Sequence, residues 1–467
     1  MIEKIKYLFK NVGILTISQF SSKILIFFLL PLYTNVLSTE QYGVYDLSVT
    51  VVELLYPILT INIIDAVMRF LLDKKYENTD VISVSFKYVF LSILLASSIA
   101  LAVSLFNLFP LFEGLEIYVL LYFIFYTLQQ FAAQVAKGLE QITDIGISGV
   151  LGTVCLIGFN LFFLLVAEWG LVGFFLANIL AHFIPALYLI LRTTVWRYIR
   201  LSAGKMISPD MLKYCVPLIV NTLGWWANSA TDKFVVTFFL GAAANGILSI
   251  AYKIPNMLSA VQGIFNQGWQ ISAIKEFEEK GDTSFFSKIV LLINGVMFVG
   301  ASFLILLTKP LASFLYAKDF YVAWEYVPML ILSVVINTNS GIYGAILAAK
   351  GRSNGMAISS FIGIVVNVAL NILLVWAIGM QGVTIATVIS GLVILLLRKI
   401  ISGADFKTKW DKFIYLSLAL VVAQSLCKIY IREWYVLALE LLIFVFIATM
   451  YAVMFFKDMK KKPEEKV

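Results

Sequence analysis

The sequence predicts an all-α integral membrane protein with about fourteen transmembrane helices. Hydrophobic residues make up 61% of its 467 residues and charged residues only 13%, which is about half the charged share of a soluble globular protein. Apolar runs long enough to cross a hydrocarbon core about 30 Å thick recur along the whole chain. Because these runs do not alternate apolar and polar residues, they indicate helices and exclude barrel strands.

The fourteen helices follow one another with short connections, so no separate soluble domain is expected. They are placed at 11–34, 43–72, 84–106, 117–136, 147–167, 171–191, 211–240, 245–273, 287–308, 325–348, 356–378, 382–402, 412–428 and 433–456.

Basic residues are distributed unequally between the two sides of these helices. Of the 35 Lys and Arg residues, 26 fall on one side, four on the other and five inside helices. Since Lys and Arg favour cytoplasmic loops, both chain termini are predicted to lie in the cytoplasm. The same loops explain the net charge of +7, so we expect no nucleic-acid partner.

The chain contains a weak internal repeat. YLFKNVGILTISQF at 7–20 aligns with DMLKYCVPLIVNTL at 210–223, and three further matches follow in the same order. Parallel repeats related by an axis along the membrane normal are a transporter architecture with the substrate site between the halves. We therefore predict six-helix bundles at 1–200 and 201–403, followed by two appended helices and a basic tail at 404–467.

Charged side chains within predicted helices indicate a polar cavity, because each costs at least about 3 kcal/mol in mid-bilayer. They concentrate in the first two helices of each half. The candidate binding cations are Lys23, Lys233, Lys253 and Arg69. Polar residues that could line the cavity or couple an ion are Glu53, Asp65, Asp232, Gln19, Asn228 and Asn256.

Several of these residues also have structural interpretations. Asp65 and Arg69 have the spacing of a helical ion pair, and Lys233 and Lys253 could extend their stems to the membrane surface. The lone His182 is expected to be a hydrogen-bonded core residue, with a proton relay as the alternative. No role is assigned to Glu440.

No sequence motif points to an enzyme. The chain lacks a Walker A sequence, a nucleophile-elbow Gly-x-Ser-x-Gly sequence and any His, Cys or carboxylate cluster with metal-ligand spacing. Neither a cofactor nor a metal is therefore expected.

Three stretches resemble one family. LPLYTNVLSTEQYGVYDL at 30–47, GLE at 138–140 and LAAKGRSN at 347–354 are similar to the Wzx-type polysaccharide flippases of the multidrug/oligosaccharidyl-lipid/polysaccharide (MOP) exporter superfamily. The resemblance implies transport of a polyisoprenyl-diphosphate-linked oligosaccharide across the cytoplasmic membrane by alternating access. It also implies a role in cell-surface polysaccharide synthesis, alongside a polymerase and glycosyltransferases.

The cations suit such a substrate, since ammonium groups bind diphosphate well. Many relatives are thought to use an ion gradient, and Glu53 and Asp232 are the candidates for a proton or sodium site. Two alternatives remain, a multidrug exporter of the same superfamily and a non-transporting scaffold for polysaccharide assembly. The glycan is left open.

The first prediction concerns Lys23, which lies thirteen positions after Lys10 in the predicted helix and therefore near mid-membrane. Replacing Lys23 with Ala should abolish transport of the lipid-linked sugar while the protein remains in the membrane at normal abundance. Surface polymer in a deletion strain carrying the variant measures the effect, and unchanged polymer would contradict the assigned role.

Overall fold

The protein is described here from a computed structural model. The described residues are 27–73, 75–200, 207–263, 265, 283–349, 352–403, 411–431 and 433–460. All regular secondary structure among them is helical, which confirms the predicted all-α class. The chain divides into two compact units, Met1–Thr231 and Asp232–Val467.

Unit 1 contains eight α-helices, the last of which continues into unit 2. They are α1 Leu30–Val36, α2 Thr39–Leu59, α3 Ile63–Leu72, α4 Asn78–Phe106, α5 Glu116–Gly138, α6 Ile142–Leu161, α7 Gly170–Thr193 and α8 Ser208–Leu240.

Unit 2 begins within α8 and continues through eight further α-helices, with another helical stretch at 253–263. They are α9 Ala242–Ala251, α10 Thr283–Leu306, α11 Thr308–Leu315, α12 Val327–Ala349, α13 Ser353–Ile378, α14 Met380–Ser402, α15 Asp411–Tyr430 and α16 Tyr435–Lys460.

Eleven helices in the described part of the chain are long and apolar enough to cross a bilayer. They coincide with the second to sixth and the ninth to fourteenth predicted spans. The first and eighth spans lie partly outside the described residues, so the total of fourteen stays a prediction. The protein is a multi-pass membrane protein.

Helix starts recur between the units, as the repeat predicts. Thr39 and Ala242 are separated by 203 positions, Glu116 and Val327 by 211, and Gly170 and Met380 by 210. These spacings are close to those of the sequence matches. The domain limits at 200 and 403 remain predictions.

The second span is not the single long helix predicted at 43–72. It breaks at Thr60–Asn62, where Ile61 has a φ of 51° and Asn62 a φ of 53°. Pro57 lies in the last turn of α2, and the Asn62 amide closes the helix end on the Pro57 carbonyl at 2.9 Å, a C-terminal capping bond. Pro57 and the left-handed backbone of Asn62 together end the helix, although the sequence remains apolar beyond this point.

The start of α2 follows directly from the sequence. Ser38 Oγ accepts the Gln41 amide at 3.1 Å and Gln41 Oε1 accepts the Ser38 amide at 3.0 Å. This capping box satisfies two backbone donors that a helix start would otherwise leave unpaired.

Within unit 2, buried polar contacts join the appended helices α15 and α16 to each other and to α10. Lys428 Nζ of α15 lies 2.8 Å from Glu440 Oε2 of α16 and donates to the Leu306 carbonyl at the end of α10 at 3.2 Å. Nearby, Gln424 Nε2 donates to the Ser302 carbonyl at 3.0 Å. Glu440, which the sequence left unexplained, is therefore the partner of a buried lysine.

Removing one charge of this pair should destabilise the protein strongly, because the side chains of Lys428 and Glu440 are only 5% and 1% exposed. We expect Glu440→Gln to cost about 3–5 kcal/mol, and the double change Lys428→Met with Glu440→Leu to cost far less. Thermal unfolding in detergent measures both.

The matched control is Arg192→Met, which opens the more exposed Arg192–Asp144 pair and should cost at most about 1 kcal/mol. A double variant as unstable as Glu440→Gln would contradict the prediction.

Candidate functional site

A buried carboxylate in unit 2 is the centre of a polar cluster contributed by four segments of the chain. We call this group the Asp232 cluster. It consists of Asp232 of α8, Tyr252 after α9, Asn367 and Asn371 of α13, and Thr387 of α14. Asp232 is 2% exposed, and both asparagines are buried.

The carboxylate accepts three hydrogen bonds. Asn371 Nδ2 donates to Oδ1 at 2.7 Å, while the Tyr252 hydroxyl and the Thr387 hydroxyl donate to Oδ2 at 2.6 and 2.8 Å. Asn371 Nδ2 also donates to Asn367 Oδ1 at 3.0 Å. These bonds fix the carboxylate against α13 and α14.

The donors in the Asp232 cluster are all neutral, and within the described part of the chain Asp232 forms no ion pair. Three good hydrogen bonds stabilise the carboxylate, but they leave its full charge in a low-dielectric interior. A buried charge of this kind is neutralised by a proton or by a bound cation.

Asn371 adds a second observation that points to a ligand. Its Oδ1 is buried and makes no hydrogen bond, although buried polar atoms are nearly always paired. The oxygens of Asp232, Asn367, Asn371 and Thr387 are together the hard ligands that cations such as Na⁺ prefer. The cluster can therefore hold a proton on Asp232 or a small cation among its oxygens.

Sequence reasoning identified Asp232 but missed its four partners. Asn367 and Asn371 are one helical turn apart in the otherwise apolar run IGIVVNVALNILLVW. Two asparagines on one face of a membrane helix were the available signal, since polar residues there face protein or water. Tyr252 and Thr387 are ordinary residues at membrane-helix positions and carried no signal.

The predicted cations are not part of this cluster. Lys23 and Gln19 lie outside the described residues, as does the side chain of Asn228. Lys233 and Lys253 are half-buried and each has interaction partners, and Asn256 is exposed. Their roles in substrate binding stay predictions.

Three predicted polar residues belong to unit 1 and are exposed, namely Glu53, Asp65 and Arg69. The Arg69 guanidinium lies 4.3 Å from the centre of the Tyr214 ring, a cation–π contact. The described ion pairs do not include one between Asp65 and Arg69. The helical ion pair expected from their spacing is therefore wrong, because the guanidinium turns to the aromatic ring.

His182 is a hydrogen-bonded interior residue, as predicted. Its Nδ1 contacts Gln129 Oε1, and its Nε2 lies 3.2 Å from the Tyr122 hydroxyl. The rings of Tyr122 and Tyr126 both meet the imidazole edge-on. These contacts join α5 to α7 within unit 1.

In the described part of the chain, eleven helices are long and apolar enough to cross a membrane, and the Asp232 carboxylate is buried without an ion pair. Both features are typical of polytopic membrane transporters. A model of the polysaccharide biosynthesis protein family matches residues 8–268. The chain belongs to this family.

Solved structures show the same fold. The lipid II flippase MurJ in an inward closed conformation is similar with a TM-score of 0.72 and 16% identity, over 95% of this chain and 99% of that one. An inward-facing multidrug resistance MATE family transporter of the MOP superfamily has a TM-score of 0.61 and 16% identity, over 84% and 99% of the two chains.

A MOP superfamily transporter from Pyrococcus furiosus has a TM-score of 0.55 and 15% identity, over 85% and 97% of the chains. The search of curated proteins finds no match. The protein therefore has a flippase and transporter fold, and these structural relatives are not enzymes.

The Asp232 cluster predicts a sodium-dependent stability. Sodium at a hundredfold excess over its dissociation constant should stabilise the protein by about 2.7 kcal/mol relative to choline at equal ionic strength. Asp232→Asn should remove this difference, whereas Asp144→Asn, which alters an ion pair in unit 1, should retain it. Thermal unfolding in detergent is the measurement.

A wild-type protein that melts at the same temperature in both salts would exclude the sodium site. If the melting temperature varies instead with pH, and this variation disappears in Asp232→Asn, the cluster binds a proton.

Proposed function

We propose that the protein is a flippase that moves a polyisoprenyl-diphosphate-linked oligosaccharide repeat unit across the cytoplasmic membrane, for the synthesis of a cell-surface polysaccharide. The observation that carries this proposal is membership of the polysaccharide biosynthesis family over residues 8–268. The fold supports it, since the similarity to a lipid II flippase extends over 95% of this chain.

We propose that Lys23, Lys233, Lys253 and Arg69 bind the diphosphate or acidic sugars of the substrate. Lysine presents a compact charge on a flexible stem, which suits a group that must be held and then released. The proposal places the N- and C-termini in the cytoplasm, where a polymerase and glycosyltransferases are the expected partners of the pathway.

Transport is proposed to follow alternating access and to be coupled to the ion that the Asp232 cluster binds. Neutralising Asp232 removes the charge that its hydrogen bonds to Tyr252, Asn371 and Thr387 now stabilise. The contacts between α8, α13 and α14 then differ in strength between the loaded and the empty cluster. A differential interaction of this kind is what a ligand needs to shift a conformational equilibrium.

A multidrug exporter is the second candidate, because MATE transporters share the fold. Their structures are matched over a smaller part of this chain, 84% against 95% for the flippase. A substrate with a long isoprenoid tail and a diphosphate also accounts better for the basic residues among the predicted cavity residues.

The decisive experiment is complementation of a deletion strain. Loss of the protein should remove surface polymer and accumulate the lipid-linked repeat unit on the cytoplasmic side. The wild-type gene and Asp144→Asn should restore export, whereas Asp232→Asn should reduce export at least about 100-fold at equal membrane abundance, consistent with an ion-coupling step. Collapse of the ion gradient should have the same effect as Asp232→Asn.

Intact polymer together with increased drug sensitivity in the deletion strain would instead identify a multidrug exporter. If the deletion strain loses polymer and every variant of the predicted cavity residues restores it, the protein is a scaffold.

A further inference from the structure

A carboxylate is exposed within a membrane helix of unit 1. Glu53 lies fourteen residues after the start of α2 at Thr39 and six before its end at Leu59, and its side chain is exposed. Six residues of helix correspond to about 9 Å, which is farther than the short Glu side chain extends. A charged residue at this depth faces a polar cavity and not lipid, which makes it a candidate for function.

Three tyrosines lie beside this carboxylate. Tyr56 follows Glu53 by three residues, so the two share one face of α2. The Tyr56 ring meets the Tyr126 ring of α5 edge-on, with ring centres 5.3 Å apart. The rings of Tyr122 and Tyr126 are parallel within 9°, and the Glu53 carboxylate is close enough to both hydroxyls to interact with them electrostatically. We call these four residues the Glu53 wall.

His182 of α7 fixes the orientation of the tyrosine rings. With a proton on Nδ1, which donates to Gln129 Oε1, the imidazole accepts the Tyr122 hydroxyl on Nε2 at 3.2 Å. The rings of Tyr56 and Tyr126 are half-buried, so each is held by its neighbours while part of it stays accessible. Rings that are already held in place lose little conformational entropy when a ligand binds.

The polar surface continues along α5. Tyr122, Tyr126, Gln129 and Lys137 recur at helical intervals and share one face of this helix. Asp65 of α3 is exposed and lies in electrostatic range of the Lys137 ammonium and the Tyr126 hydroxyl. Hydrogen-bond donors, hydrogen-bond acceptors and aromatic rings therefore occur together on one surface of unit 1.

We infer that the Glu53 wall is a binding site for a sugar ring of the transported oligosaccharide, an inference that rests on the proposed function. A pyranose has an apolar C–H face, which packs on an aromatic ring, and a rim of hydroxyls, which donate to a carboxylate and accept from tyrosine hydroxyls. The rings of Tyr56 and Tyr126 provide the first kind of contact, and the Glu53 carboxylate provides the second.

The composition of this surface favours a sugar over an organic cation. A lipophilic cation is bound by carboxylates and by the faces of aromatic rings. The surface also contains the Lys137 ammonium, which repels a cation, and hydroxyl and amide groups, which a lipophilic cation cannot bond. A sugar hydroxyl both donates and accepts hydrogen bonds, so it can pair with each of these groups.

Binding of two ligands to the purified full-length protein tests the inference. One ligand is the free oligosaccharide released by mild acid from the lipid-linked repeat unit of the source strain, and the other is a polyisoprenyl diphosphate without sugar. Calorimetry in detergent gives a dissociation constant for each. Glu53→Ala should weaken binding of the oligosaccharide about tenfold or more, as loss of hydrogen bonds to a charged group does, and should leave binding of the diphosphate unchanged.

Two changes at Tyr126 separate the contribution of its ring from that of its hydroxyl. Tyr126→Leu should weaken binding of the oligosaccharide roughly two- to tenfold through loss of the ring, whereas Tyr126→Phe should retain most of the affinity. Asp144→Asn, which alters an ion pair elsewhere in unit 1, should bind both ligands as the wild type does. The melting temperature of each variant shows whether it is folded.

The two ligands distinguish failure of the sugar site from failure of the proposed function. A wild type that binds the diphosphate but not the oligosaccharide would overturn the sugar site and leave the flippase proposal intact, whereas the converse would support the sugar site and contradict the flippase. A wild type that binds neither ligand would overturn both. If Glu53→Ala weakens both ligands equally, or weakens only the binding of tetraphenylphosphonium as a probe cation, the sugar site is also overturned.

Discussion

The cost of an unpaired charge in hydrocarbon is the constraint on which this structure depends. In unit 2, two buried carboxylates meet this constraint in different ways. Glu440 forms an ion pair with Lys428, which leaves no net charge, whereas Asp232 receives only neutral hydrogen bonds. The first arrangement is complete by itself and fixes helices together. The second contains no opposite charge, so a proton or a cation is needed to neutralise its carboxylate.

The sequence was sufficient to predict the helical class and most helix positions, because each crossing requires a long apolar run and backbone hydrogen bonds that close within it. It was not sufficient to predict the break at Thr60–Asn62, because the sequence stays largely apolar there while the backbone changes direction. Nor could it predict the partners of Asp232, since Asn371 and Thr387 lie 139 and 155 residues away in the chain. Contacts over such separations depend on packing between helices, which periodicity within one helix does not describe.

The two halves share their helices but not the Asp232 cluster. With the sequence offset of 203, the position equivalent to Asp232 is Leu29, a buried apolar residue. The offset of 211 brings Asn160, which is also buried, to the position of Asn371. The repeat has therefore kept an asparagine on the matching helix of unit 1 while the carboxylate is present only in unit 2. The helix pattern that recurs between the units is therefore not accompanied by a recurrence of the buried carboxylate.

The break after α2 has a consequence for the depth of the residues that follow it. The 21 residues of α2 extend about 31 Å at 1.5 Å per residue, so this helix alone is long enough to traverse the hydrocarbon. The ten residues of α3 then form a separate short helix after the break. Its inner face is anchored by Ile63, Ile64 and Val67 in a core shared with α5 and the start of α8. Because α2 alone is long enough for the crossing, α3 need not contribute to it, and Arg69 near the end of α3 contacts the Tyr214 ring of α8.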